Sequence, residues 1–335
     1  MLSIFRAHWF VITLLLVITI VVMVSVIRQG RGDQHMVMSV KDSTWVAPSL
    51  FLDNEIQGEE RAMVIYGEEL IMHTSRYLGP KGKVMQISNG MNCQNCHLDA
   101  GTRSWGNSYG AVYSTYPKFR ERSGTNESIY KRVNDCFERS LNGTALDSNS
   151  KEMKAIYAYM KWLGKDVAKG TRPHGVGLDK LPYLNRAADP AKGKLVYTEK
   201  CQTCHGPNGE GQPGLDGLEY ATPPLWGRNS YNDGAGLFRL SNFASFVKNN
   251  MPFNQASHTN PALTVEEAWD VAAYVNSQER PHRDQSMDWP DVSKKPVDFP
   301  FGPYADSFSV EQHKFGPYAP IEKWRKDRPG NFKKN

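Results

Sequence analysis

Cysteine is scarce in this chain: five residues in 335, gathered in three places. Two of the places are Cys-x-x-Cys pairs, and no further pair sits near either one. That argues against zinc, whose structural sites need four donors close together. With four of the five cysteines in those pairs, no structural disulfide remains to be made. Basic tracts are missing too. The formal charge is only +5, and no run of lysine and arginine is long enough to suggest nucleic acid. Long apolar runs are absent except for residues 9–27. No small-x-small cleavage site lies between Ser25 and Gly32, and no lipobox cysteine is present. Charged residues at 22% and aromatics at 11% place the remainder among ordinary globular chains.

What the chain does have is the same pentapeptide pattern twice. Cys93-Gln94-Asn95-Cys96-His97 and Cys201-Gln202-Thr203-Cys204-His205 are both C-x-x-C-H, 108 residues apart. This is the attachment signature of c-type haem. The two thiols add to the haem vinyl groups, and the histidine becomes the first axial ligand of the iron. The pattern predicts two covalently bound haem c groups, on Cys93, Cys96 and His97 and on Cys201, Cys204 and His205. Their propionates would bring the net charge close to neutral.

Haem attachment of this kind takes place, in bacteria, outside the cytoplasmic membrane, so the body of the protein is expected in the periplasm. The apolar run 9–27 is 19 residues long and nearly crosses a hydrocarbon core of about 30 Å. Its length favours a retained anchor over a cleaved signal, with the signal left as the alternative. Arg6 precedes the run and Arg28 and Arg31 follow it, so flanking charge does not settle orientation.

Length predicts two domains after the anchor. The expected fold is mainly α: two class I cytochrome c-like domains, an N-terminal transmembrane helix and an extended C-terminal strap. The division is anchor or signal 1–27, linker 28–55, domain 1 at 56–168 with the active-site haem, linker 169–185, domain 2 at 186–282 with the electron-transfer haem, and tail 283–335. Domain 1 should open with a helix over Glu59–Tyr77, with Met63, Tyr66, Leu70 and Ile71 on one face. Helices near 126–141 and 150–163 should follow. Domain 2 should open over Asp189–Tyr197 and close over Thr264–Gln278. In the tail, Phe301-Gly302-Pro303-Tyr304-Ala305 recurs as Phe315-Gly316-Pro317-Tyr318-Ala319. The tail reads as a strap over both domains, with a partner-docking arm as the alternative.

Met251, 46 residues after His205 and followed by Pro252, has the usual context of a methionine axial ligand. Its rival is His258. From Met251 to Tyr274 is 23 residues, and from Cys136 to Tyr159 is also 23. The unpaired Cys136 therefore holds in domain 1 the place that Met251 holds in domain 2. If Cys136 were only a buried thiol, Met153, Met160 or His174 would have to serve instead. Thiolate pushes electron density toward iron and His/Met ligation raises the potential, so electrons would run from the first haem to the second. Asn126 should cap the helix carrying Cys136 and Gly143 should stop it. Ile129, Val133, Phe137 and Leu141 mark its apolar face. Arg132, Cys136 and Ser140 share a neighbouring stripe at i, i+4, i+8. Lys118, Arg120 and Arg122 lie just upstream. Guanidinium groups in that position suit an oxyanion and a thiolate, unless Glu121, Glu127, Asp135 and Glu138 neutralise them.

The two C-x-x-C-H motifs, the run from Arg132 to Gly143, Asn250-Met251-Pro252 and the Phe-Gly-Pro-Tyr tail resemble the dihaem thiosulfate dehydrogenase/tetrathionate reductase family. The resemblance covers nearly everything after the anchor. It implies interconversion of two thiosulfates with tetrathionate and two electrons. It implies an active haem between His97 and Cys136, anion-holding roles for Arg122, Arg132 and Ser140, and an electron carrier such as a small cytochrome c as partner. Some members carry a lysine beside the distal methionine and exchange ligands on reduction. Asn250 stands there in this chain, and the anchor is a further departure. A plain dihaem electron carrier and a sulfur-oxidising, carrier-loading cytochrome stay open as alternatives.

Overall fold

The computed structural model describes residues 44–328. The apolar run 9–27 and most of the linker 28–55 lie outside the described residues. Among the described residues no helix is long and apolar enough to cross a membrane. In chain order the longer helices are α1 (Gly58–Met72), α2 (Ile129–Arg139), α3 (Lys151–Leu163), α4 (Pro190–Lys200), α5 (Leu240–Asn250), α6 (Val265–Ser277), α7 (Val310–Phe315) and α8 (Ala319–Asp327). Two small antiparallel hairpins accompany them. One pairs β1 (Lys118–Arg120) with β2 (Thr125–Glu127), the other β3 (Gln212–Pro213) with β4 (Tyr220–Thr222).

Each haem-motif segment is framed by a crossed pair of helices, α1 on α3 and α4 on α6. Glycine makes both crossings possible. A Cβ on Gly67 of α1 would fall inside the carbonyl of Ala155 and against Cβ of Tyr159 on α3. A Cβ on Gly193 of α4 would do the same to Asp270 and Tyr274 on α6. The tyrosines that mark the 23-residue register are thus the residues each glycine packs on. Gly193→Ala should destabilise the second crossing by about 3 kcal/mol, because the backbones cannot separate without opening a tightly packed core. A thermal midpoint unchanged from wild type would show that the crossing tolerates the methyl group.

Local signals account for the helix ends. Ser150 Oγ accepts from Met153 N, and Asp189 accepts from Ala191 and Lys192 N with Pro190 next in line. Thr264 and Glu267 form a capping box. The α2 start differs from the sequence expectation. Asn126 pairs with Phe119 in the hairpin, and Ser128 is the cap, its Oγ accepting from Lys131 N. At the other end Asn142 takes a positive φ of 43°, and Gly143 N donates back to Phe137 O. The opening helix also stops early, at Met72, with a separate turn at Thr74–Leu78.

The domains interlock. Tyr231, Ala235 and Phe238 pack into the core around α1–α3, while Leu98 and Cys96 pack into the core around α4–α6. The tail is not wholly extended. Ser309 caps α7, and Pro320 sits in the first turn of α8. Between them, His313 is fully buried, stacked on Tyr304 and bonded to Asp306, which also pairs with Arg325. Farther up the tail, Asp288 pairs with Arg122 and Arg139, and buried Asp298 with Arg239.

Candidate active site

Among the described residues a cavity lies beside each C-x-x-C-H segment. The first, about 440 Å³, is lined by Cys93, His97 and Cys136 among others. Cys136 reaches it because α2 turns its apolar stripe inward. Ile129, Val133, Phe137 and Leu141 are buried and line the same wall. One turn before Cys136, Arg132 lines the cavity too. The negative charge that Cys136 can carry raises the Arg132 guanidinium well above its ordinary value, against the opposing effect of burial.

The second cavity is lined by Cys201, His205 and Met251, with Tyr197, Leu237, Phe243, Phe246 and Val271 as apolar walls. Met251 follows directly on the C-terminus of α5. His258 is occupied elsewhere, stacked on Trp105 and bonded to Asp179. Of the alternatives to Cys136, Met153 is packed in the core and His174 lies edge-on to Trp105, whereas Met160 does line the first cavity. Asn250 is buried, its amide donating to Trp105 O and Phe246 O.

The donor chemistry of both cavities fits haem c. His97 Nδ1 lies 2.6 Å from Asn107 O, and His205 Nδ1 2.9 Å from Pro223 O. A carbonyl can only accept, so Nδ1 carries the proton in each ring and Nε2 keeps its lone pair for a metal. Burial pushes the His97 imidazole down to about 4 and lowers His205 as well, which keeps both rings neutral. The thiols are distributed unequally. Cys93 faces the first cavity, Cys96 and Cys201 the second, and Cys204 is exposed at the surface.

The cation set differs from the one the helix stripe suggests. Arg122 does not line the cavity. Its Nε donates to Asp288 at 2.7 Å and its Nη2 to Gln285 at 3.1 Å. Burial, then the charge of Arg139, pushes Arg122 down to about 10 in spite of Asp288. Ser140 is the C-cap of α2 and does not line the cavity either. The cations that do line it are Lys118, Arg120 and Arg132, joined by Arg172, Lys180 and Arg239. The last three come from the interdomain segment and the start of α5, and no spacing in the sequence points to them. No aspartate or glutamate is among the lining residues. Glu127 approaches Arg120 only to 3.9 Å and Asp298 meets Arg239 at 2.6 Å, while among the described residues no carboxylate lies within ion-pair distance of Lys118, Arg132, Arg172 or Lys180.

Two family models and several known proteins match the chain. The SoxA/TsdA cytochrome c domain family matches residues 83–168, and the cytochrome c family matches 190–279. Each match contains one C-x-x-C-H segment, so two covalent haem c groups are the cofactors. A thiosulfate dehydrogenase of Psychrobacter arcticus is 41% identical over 61% of this chain and 61% of its own length. Those of Stutzerimonas stutzeri and Allochromatium vinosum are each 36% identical, over 68% and 79% of their own lengths. Among solved structures, thiosulfate dehydrogenase (TsdBA) of Marichromatium purpuratum, as isolated, superposes with a TM-score of 0.65 at 33% identity. It covers 72% of this chain and 50% of its own.

Proposed function

The chain belongs to the thiosulfate dehydrogenase family of dihaem c-type cytochromes, and from that premise we propose that it joins two thiosulfates into tetrathionate at the cavity shared by His97 and Cys136. One observation carries the reading: the unpaired cysteine faces the same cavity as the motif histidine, in a wall whose charged residues are all cations. A plain electron carrier needs neither feature.

Cys93, Cys96, His97 and Cys136 would hold one haem c and Cys201, Cys204, His205 and Met251 the other, and the bound haems would supply one-electron acceptance. The protein's residues do the rest. Arg132, Lys118 and Arg120 draw in a thiosulfate dianion and hold its sulfonate. The Cys136 thiolate forms a sulfur–sulfur bond with the terminal sulfur of thiosulfate as two electrons leave, the oxidation that bound haem c would accept. The adduct is Cys136–S–S–SO₃⁻. The terminal sulfur of a second thiosulfate attacks the substrate-derived sulfur of that bond. Tetrathionate is released, Cys136 returns as thiolate, and no proton is consumed. The same steps reversed reduce tetrathionate. Arg122 and Ser140 serve behind the wall, Arg122 by fixing the hairpin side of the cavity to the tail.

Thiolate donation from Cys136 and thioether donation from Met251 would set the first site's potential below the second's. The attachment points suit an outward path. Cys96 lies on the wall of the second cavity, and Cys204 opens to solvent where a small cytochrome c could dock. Haem attachment supports a periplasmic body, and the apolar run 9–27 supports a tether to the cytoplasmic membrane. Mixing oxidised holoprotein with thiosulfate without oxygen in a stopped-flow instrument should reduce the haem bands at the catalytic rate. No reduction on that timescale would leave only an electron carrier.

A further inference from the structure

The six cations lining the first cavity fall into two groups by origin. Lys118, Arg120 and Arg132 come from the β1–β2 hairpin and α2. Arg172 and Lys180 come from the interdomain segment, and Arg239 from the residue before α5. We propose that Arg172, Lys180 and Arg239 form a second oxyanion subsite, at the mouth of the cavity, for the far sulfonate of the second thiosulfate and hence of tetrathionate.

Arg172 has no carboxylate within ion-pair distance among the described residues. Its Nε and Nη2 both turn to Val176 O, at 3.4 and 3.2 Å. Lys180 has one partner, Asn242 Oδ1 at 2.6 Å, and Asn242 itself lines the cavity. Arg239 is different. Its guanidinium meets Asp298 at 2.6 Å, and Asp298 also accepts from Ser241 N and Oγ. Burial alone would raise the Asp298 carboxyl, yet Arg239 and Ser241 hold it below its ordinary range. The tail thus fixes Arg239 in place, while Arg172 and Lys180 stay available. Desolvation, then Arg239, lowers Lys180. Desolvation, then Arg120 and Arg172, lowers Lys118. Arg172 is therefore felt from both groups, and a multiply charged anion between them would relieve the crowding.

The proposal rests on the reaction proposed above, which explains why two poles are needed. Tetrathionate carries one sulfonate at each end and neutral sulfur between. A second thiosulfate must also approach an adduct that is itself negative. One cationic pole at Arg132 serves the first sulfonate, and a second pole, built from the interdomain segment and the residue before α5, serves the other. A carboxylate of the haem has the same oxyanion chemistry and is the other possible source, so the experiment separates the two.

Arg172 and Lys180 are exposed at the rim, and their replacement should leave folding intact. The doubly substituted holoprotein, Arg172→Met with Lys180→Met, is titrated calorimetrically in its oxidised form with sulfate, a redox-inert dianion, and its haem midpoint potentials are measured optically. The expected result is sulfate affinity at least about tenfold weaker than wild type, with both potentials unchanged. A shift in potential with unchanged sulfate affinity would overturn the assignment to the sulfonate and make the haem carboxylate the occupant. A change in both would mean that the two anions share it. Wild-type values for both overturn the proposal. Sulfate binding does not depend on turnover, so failure of thiosulfate to reduce the protein would be seen separately.

Discussion

Cys136→Met is expected to lower thiosulfate-dependent turnover by at least about 10³-fold, the scale seen when an enzyme loses its nucleophile, while both haems stay attached. Methionine keeps a sulfur donor at the position of Cys136, so a haem held there by the proposed ligation would keep a protein ligand. It cannot form the sulfur–sulfur bond, because the thioether has no displaceable thiolate, and it removes the charge that Arg132 faces. Ligation and covalent chemistry are thereby separated. A haemochrome assay checks haem content, and an optical redox titration should show the lower of the two potentials rising as thiolate becomes thioether. Met160 supplies the contrast, because it lines the same cavity and is the rival sulfur. Met160→Leu should leave spectrum and turnover as they are. Persistent turnover in Cys136→Met would end the covalent role. A changed spectrum in Met160→Leu would move the sixth ligand to Met160.

Much of this site is legible in the sequence because its chemistry is local. A haem c attachment motif is five consecutive residues. The crossed helices leave a glycine and a tyrosine at the crossing in each domain, which is why the 23-residue spacing from Cys136 and from Met251 carries register. The apolar stripe of α2 likewise predicts which face turns inward. What failed to show was assembled from distant segments. Asn126 looks like a helix cap in isolation, but cross-strand pairing with Phe119 claims it and passes the role to Ser128. Arg122 looks like a cavity residue beside Lys118 and Arg120, until Asp288 and Gln285 arrive from the tail and take its guanidinium. Arg172, Lys180 and Arg239 have no motif at all. They meet only because the interdomain segment and α5 close the cavity from the side of the second domain. The tail reads as a strap because it is rich in proline and aromatics. That it also delivers carboxylates to three arginines follows from three-dimensional placement alone.

Those carboxylates account for the second large effect. Asp288→Ala should destabilise the protein by about 3–5 kcal/mol, the cost of leaving a buried charge without its partner. Asp288 bonds Arg122 Nε at 2.7 Å and Arg139 Nη2 at 3.0 Å, and all three side chains are largely buried. Burial and Arg139 already depress Arg122 with the carboxylate in place, so its removal sets two guanidinium groups against each other in a poorly solvated site. The drop in thermal midpoint should be on the order of 10 °C for a body of this size. Asp288→Asn keeps shape and one acceptor but not the charge, and should recover only part of the loss. Arg139→Met combined with Asp288→Asn tests the cause. With one cation removed along with the anion, stability should return above that of Asp288→Asn alone. If the double variant is instead as unstable as the sum of the single changes, the cost lies in packing of the tail rather than in unpaired charge. Thiosulfate KM, measured well below the midpoint, should stay at the wild-type value in Asp288→Asn, since neither Asp288 nor Arg122 lines the cavity. A raised KM would place Arg122 at the anion after all and make the tail part of the substrate site.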